Sequence, residues 1–328
     1  MYQMMSLPLY FGTFQEYKNW CDLTQELKRL GCDGIEGVWG GEELPDDLPA
    51  ELFLGYHLIF YPDWLDFYRD DRRALKQKFG SLEVAASFYG GLGPDTLLEQ
   101  YRADLRRAVN LGARYVVFHV SDVSLEEGYT YRWLHTNQEV IDAAVEVVNL
   151  ILGKERWPFE FLVENQWWPG FTFTEPEETA RLLEGIRFAG KGILLDTGHL
   201  MNACTELKSE AEGADYIRRM LNRHGSLAKW VRGVHLHQSL SGEYVKAHTG
   251  LLPAGLPEDY GERFGVSYQH ILQIDQHRPW TDPAILPVLE QIGPRYLTHE
   301  LSSRGRMSRA EAMAAQARLF QQGGKMGV

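Results

Sequence analysis

Along this chain, carboxylates and imidazoles recur directly after short apolar runs. The stretch Gly192-Ile193-Leu194-Leu195-Asp196-Thr197-Gly198-His199 reads as a buried parallel strand that stops at Asp196 and turns through Gly198. A carboxylate and an imidazole three residues apart on the lip of such a strand can offer oxygen and nitrogen to one divalent metal. Taken alone, Asp196 reads equally well as the cap of a following helix, and His199 as a surface histidine. The pattern repeats, however. Tyr56-His57, Phe118-His119, Val163-Glu164-Asn165, Val234-His235-Leu236-His237 and Thr298-His299-Glu300 each close an apolar segment. A lone histidine in such a place is more often a hydrogen-bonded core residue, and a lone glutamate more often solvated. Gathered at one mouth, these groups would repel and desolvate one another without a cation, so a metal site is the economical expectation.

Strand alternation constrains the set without completing it. His235 and His237 share a face, so either can bind, whereas Glu164 and Asn165 point apart. His299 and Glu300 also point apart. Glu300 is the expected site residue, because carboxylates on the fifth and eighth strands place acid and base groups on two sides of a substrate; His299 then faces outward.

The elements that must position these residues alternate. Strands are expected at Leu7 to Gly12, Gly34 to Trp39, Leu52 to Phe60, Arg114 to Val120, Phe159 to Val163, Ile193 to Leu195, Val231 to Leu236 and Tyr296 to His299. Helices are expected at Gln15 to Leu30, ended by Gly31, from Asp95 to Gly112, and at Val140 to Leu152, Pro176 to Ile186, Ala214 to Arg223, Pro283 to Ile292 and Ala310 to Phe320. Tyr61 to Gly93 reads as an irregular functional loop or inserted lid, and Ser239 to Gly261 as a Gly- and Pro-rich loop. Eight such units close most naturally into a (β/α)8 TIM barrel, one domain over 1–328 with long loops at the carboxyl ends of the strands. A doubly wound open sheet competes, but no glycine-rich phosphate loop follows the first strand.

Composition narrows the class. The 328 residues are 44% hydrophobic and 24% charged, which is ordinary for a globular protein. No apolar run approaches the ~20 residues of a membrane helix, and the start lacks the basic region of a signal peptide, so a cytoplasmic location is expected. Cys21, Cys32 and Cys204 have no paired spacing and suggest neither disulfides nor a thiolate site. A net charge of −12 argues against a nucleic-acid partner. Trp and Tyr near the strand ends, Trp167 and Trp168 among them, suit the walls of a small-molecule pocket. A homo-oligomer is compatible with the sequence.

Val163-Glu164-Asn165, Leu195-Asp196-Thr197-Gly198-His199, Val234-His235-Leu236 and Glu300 together resemble the xylose isomerase-like TIM barrel superfamily, which includes sugar isomerases and epimerases and the endonuclease IV enzymes. The resemblance to the epimerase branch implies one metal held by Glu164, Asp196, His235 and Glu300. His57 and His119 stand where the endonuclease IV pattern has histidines, and Asp275-Gln276-His277 resembles its Asp-x-His pair, although Arg278-Pro279-Trp280 replaces the expected continuation. With His199 the resemblance implies nine positions in the order of a trinuclear zinc site. Asp275 and His277 read equally as an ordinary loop.

Two chemistries follow. In the first and favoured one, a divalent metal polarises the carbonyl of a sugar or polyol. The resemblance to the epimerases implies that Glu164 and Glu300 then remove and return the carbon-bound proton, while His57 and His199, with His237, bind substrate. Trp167 and Trp168 would cover the ring and limit water entry. In the second, two or three zinc ions activate water against a phosphodiester, with Leu58-Ile59-Phe60-Tyr61 as a wedge into DNA. A sugar-binding barrel without turnover is a third reading, disfavoured by the inward carboxylates. The cofactor expectation is therefore one to three ions of Zn, Mn, Mg or Co.

Overall fold

The computed structural model describes residues 1–322. Eight parallel strands, β1 (Tyr2–Leu9), β2 (Gly34–Trp39), β3 (Phe53–His57), β4 (Tyr115–His119), β5 (Glu160–Glu164), β6 (Lys191–Asp196), β7 (Val231–His235) and β8 (Tyr296–His299), pair in sequence order. The barrel closes where β1 pairs with β8. This is the expected (β/α)8 barrel, with helices after every strand except β2, which only a 3-10 turn at Ala50–Leu52 links to β3. Among the described residues no helix is long and apolar enough to cross a membrane.

The period of two along each strand separates two packing layers. Tyr115, Val117, Leu162, Leu194 and Tyr296 fill the barrel interior with Met4 and Leu54. Their neighbours Val116, Phe118, Phe161, Val163, Ile193, Leu195 and Leu297 join the large cluster beneath the helices. Continuing the inward set by two residues reaches His119 on β4, Glu164 on β5 and Asp196 on β6. On β8 it runs from Tyr296 through Thr298 to Glu300 and leaves His299 outside. Register makes these ends level, since His119 pairs with Glu164 and Asp196 with His235.

Several expected boundaries shift. Tyr10-Phe11-Gly12 does not continue β1; a one-turn helix, Phe11–Phe14, begins after Leu9, and the next helix is Trp20–Leu30. Gly31 does end that helix, at φ 78°. Tyr61 to Gly93 is not irregular: it folds into helices Leu65–Tyr68, Arg72–Phe79 and Leu82–Tyr89, the last two capped by Asp71 and Ser81. One or two turns are too short for an amphipathic period to stand out. The long loop from Ser239 holds helix Gly242–His248, and a helix absent from the expected set, Tyr260–Ile274, follows it. Its apolar face is hard to read in the sequence because Tyr260, Phe264 and Ile271 look into a cavity, while polar Ser267 and His270 are buried.

Candidate metal centre

Glu164 sits at the middle of the carboxyl-end rim. Its Oε2 lies 3.3 Å from His57 Nε2 and 3.2 Å from His119 Nε2, and its Oε1 lies 3.1 Å from His199 Nδ1 and 3.5 Å from His235 Nδ1. Four imidazoles from four segments thus surround one fully buried carboxylate. Neither carboxylate oxygen makes an aligned hydrogen bond to them.

Three groups of donors can each hold an ion: His57, His119 and Glu164; Glu164, Asp196, His235 and Glu300; and Asp196, His199, His237 and His277. Glu164 belongs to two of them, and so does Asp196. Asp275 adjoins the last group, with Oδ2 3.2 Å from His199 Nε2 and 3.1 Å from His277 Nε2. All nine positions of the expected set therefore converge, and His237 joins them. His235 and His237, between which the sequence left the choice open, fall in different groups.

Polar groups around the centre set three of these rings. The His57 Nδ1–H donates to the Leu58 carbonyl at 2.8 Å, which leaves Nε2 facing His119 and Glu164. For His199, Nδ1 lies 3.0 Å from the Asn165 carbonyl and Nε2 points to Asp275. His235 Nε2 faces Glu36 Oε1 at 2.8 Å, and its Nδ1 faces Glu300 Oε2 at 2.9 Å. Such outer partners fix ring orientation and raise ligand basicity in metal sites. Asp196 does cap helix Thr197–Asn202, accepting the His199 backbone N–H at 2.6 Å, while its other oxygen lies 2.8 Å from His237 Nε2. The cap leaves this second oxygen facing the donor group. Asn165 points away from Glu164 and pairs reciprocally with the Asp196 backbone, pinning the ends of β5 and β6 together.

Two backbone features shape the third group. A Cβ on Gly198 would meet His237 Cε1 at 2.1 Å, so only glycine lets that ring lie across the turn. His277 adopts φ 46°, a left-handed conformation uncommon outside glycine. Backbone strain of this kind gathers at functional sites, where the surroundings enforce it.

The electrostatics suit a cation. Burial alone would raise the Glu164 carboxyl, but the His119 and His235 imidazoles outweigh it and hold it well below the usual carboxylate range. Burial disfavours a charged His235, yet Glu36 and Glu300 push it well above an ordinary histidine. Asp275 is held low by His277 and His199 against its burial, and His277 rises to about 9. Carboxylates kept ionised by imidazole protons are what a divalent ion would bind, with release of those protons. Buried His235 Nδ1, His237 Nδ1, Asp275 Oδ1 and His277 Nε2 lack aligned hydrogen-bond partners among the described residues, as does Glu164. On these grounds the residues fit divalent metal.

The remaining site residues line a cavity of about 530 Å³ above the centre. Trp167 and Trp168 are buried with ring centroids 4.2 Å apart, and Trp167 lies 5.1 Å from the His199 ring. Phe60, half exposed, covers His119 at 4.6 Å, whereas Leu58 of the same apolar run is buried. His299 faces outward, between Gln3 and Gln316, and burial drives it down to about 4. Glu36 was missed by sequence reasoning; its signal was a lone carboxylate inside the apolar strand Gly34–Trp39.

Comparison with known proteins places the fold. A family model described as xylose isomerase-like TIM barrel matches residues 24–322. No curated protein matches the chain. Similar solved structures include a D-tagatose 3-epimerase-like protein, with 15% identity, a TM-score of 0.52 and 98% of each chain covered. Endonuclease IV from Thermus thermophilus has 15% identity and a TM-score of 0.52, over 98% of this chain and 100% of that one. D-allulose 3-epimerase from Methylomonas sp., in complex with D-allulose, has 11% identity and a TM-score of 0.54, over 98% and 96%. At these identities the likeness is one of fold.

Proposed function

The chain belongs to the xylose isomerase-like TIM barrel family, and from that premise we propose that it is a hydrolase of phosphoesters that works with up to three divalent metal ions. The observation that carries this reading is the sharing of Glu164 and Asp196 among three donor groups. Carboxylates shared in this way fit ions held a few ångströms apart, the arrangement of multinuclear phosphatases and nucleases. A single-metal isomerase or epimerase, which the sequence alone favoured, uses only Glu164, Asp196, His235 and Glu300. It leaves His119, Asp275 and His277 without a task.

Divalent ions at such a centre supply Lewis acidity and lower the pKa of water. The chain's own part is to place the donors and control access. Glu36, the Leu58 carbonyl and the Asn165 carbonyl set the rings of His235, His57 and His199. Trp167, Trp168 and Phe60 wall the approach and limit water. With a net charge of −12 and, among the described residues, no Lys or Arg on the cavity wall, a small-molecule phosphoester is favoured over DNA.

The test is metal content per chain after purification without added metal, together with turnover of bis(p-nitrophenyl) phosphate. Two or three ions, zinc in particular, with cleavage that is lost in Glu164→Gln, support the reading. One ion of Mn or Mg without phosphoester cleavage overturns it. That outcome favours the second reading, sugar or polyol isomerisation with Glu164 and Glu300 exchanging the proton. The specific support for this alternative is that the four-residue group with Glu300 converges by itself.

A further inference from the structure

The cavity above the centre is divided chemically. One end carries the imidazoles and carboxylates of the centre, and the other is mainly aromatic, its acidic residue Asp63 being bound to Lys78. Helix Tyr260–Ile274 supplies one wall: Tyr260, Phe264, Ser267 and Ile271 recur at helical spacing on the face that lines the cavity. Phe88 packs against this wall, with ring centroids 5.4 Å from Tyr260 and 5.6 Å from Phe264. Trp167 and Trp168 also line the cavity, and the buried Trp168 indole N–H has no hydrogen-bond partner among the described residues. The same helix runs directly into Asp275 and His277, so this wall is continuous in the chain with one member of the third donor group and its neighbour.

Among the described residues no Lys or Arg lines this space. The nearby Lys78 is bound to Asp63 and Asp66, each at 2.7 Å, and Arg263 lies over the Tyr260 ring while donating to the Lys78 carbonyl. A polynucleotide brings a phosphate with every residue and needs cations along its path. A volume of about 530 Å³ with mostly apolar walls is that of a pocket for a drug-sized organic molecule. Resting on the hydrolase reading above, we infer that the substrate bears one phosphoryl group on a bulky, uncharged, flat body, an aryl-type phosphoester. The body lies in the aromatic compartment bounded by Phe264 and Trp168. The phosphoryl end reaches the donor groups.

Calorimetric titration of the metal-loaded protein with phenylphosphonate and methylphosphonate tests this. Phenylphosphonate is expected to bind at least tenfold more tightly, and that advantage is expected to disappear in Phe264→Ala and Trp168→Ala proteins of unchanged metal content. Equal affinities in the wild type overturn the inference and leave the hydrolase reading standing. Tighter binding of a single-stranded oligonucleotide than of phenylphosphonate also overturns it. If neither phosphonate binds, the hydrolase reading fails. The compartment is then judged by quenching of tryptophan fluorescence with neutral 2-naphthol: saturable quenching lost in Phe264→Ala sustains an aromatic body, and absence of quenching overturns it.

Discussion

Glu36 and His235 form a pair at the floor of the centre: Glu36 Oε1 lies 2.8 Å from His235 Nε2, and both side chains are fully buried. The other Glu36 oxygen accepts hydrogen bonds from the hydroxyls of Tyr115 and Thr298, so the carboxylate is fixed by β4 and β8 before it meets the ring. With Nε2 turned to Glu36, Nδ1 is presented to Glu164, Asp196 and Glu300. Outer partners of this kind are typically worth about ten- to a hundredfold in metal affinity. Glu36→Gln is therefore expected to weaken binding of one ion by about that factor, with an unchanged far-ultraviolet circular dichroism spectrum. Chelator competition measures it, and wild-type affinity would count against the pairing.

Glu164 is shared between two donor groups. Glu164→Gln is expected to remove two ions of three, whereas Glu300→Gln removes one. Elemental analysis of protein loaded with zinc and desalted distinguishes the two variants. Equal losses would show that Glu164 does not bridge.

Gly198 is in contact with the ring that completes the third group. A methyl there would overlap His237 Cε1 at 2.1 Å. His237 is itself fixed by Trp280, which donates to its carbonyl at 2.7 Å, so the ring has little room to yield. Gly198→Ala is expected to cost about 1–3 kcal/mol in stability, as overpacking usually does, and to lose the third ion. Urea denaturation together with metal analysis checks both parts.

The helices over the mouth are tied down by a second polar cluster. His135 Nε2 lies 3.2 Å from Asp66 and 3.9 Å from Asp122, and Lys78 joins Asp63 to Asp66. Asp66 raises the His135 pKa against the effect of burial, with help from Asp122, and burial pushes Asp63 up to about 7. A histidine whose folded pKa exceeds its unfolded value of about 6.5 stabilises fully below that pH and loses its contribution as pH rises through the folded value. The raised Asp63 acts in the same direction, since its destabilisation grows as pH rises above its unfolded value and is complete near 7. Hydrogen exchange in residues 63–79, corrected for intrinsic rates, is thus expected to be faster at about pH 9 than at about pH 6. His135→Ala is expected to shrink that difference. Exchange independent of pH in the wild type would contradict the assignment.

The barrel and most of its rim were legible in the sequence because both rest on short-range patterns. Apolar runs of strand length alternate with amphipathic helices, and a polar residue at the end of each run marks the mouth, as at His119, Glu164 and Asp196. Strand alternation told only that Glu300 and His299 point apart, and the placing of acid and base groups on two sides of a substrate chose Glu300. What stayed hidden depends on distance across the fold. Glu36 looked like a stray charge within β2 until β7 brought His235 against it. Asp275 and His277 read equally as a ligand pair, by resemblance, and as an ordinary loop, because their relation to Asp196 and His199 is created by a left-handed turn at His277 and by the helix before it.

The sequence by itself determined a closed parallel barrel with nitrogen and oxygen donors at one rim, since periodicity and burial preference are local properties of a chain. Only the tertiary structure decided how those donors fall into groups and what space lies above them. Both depend on which side chains from remote segments come within a few ångströms of each other, and no local pattern encodes that distance.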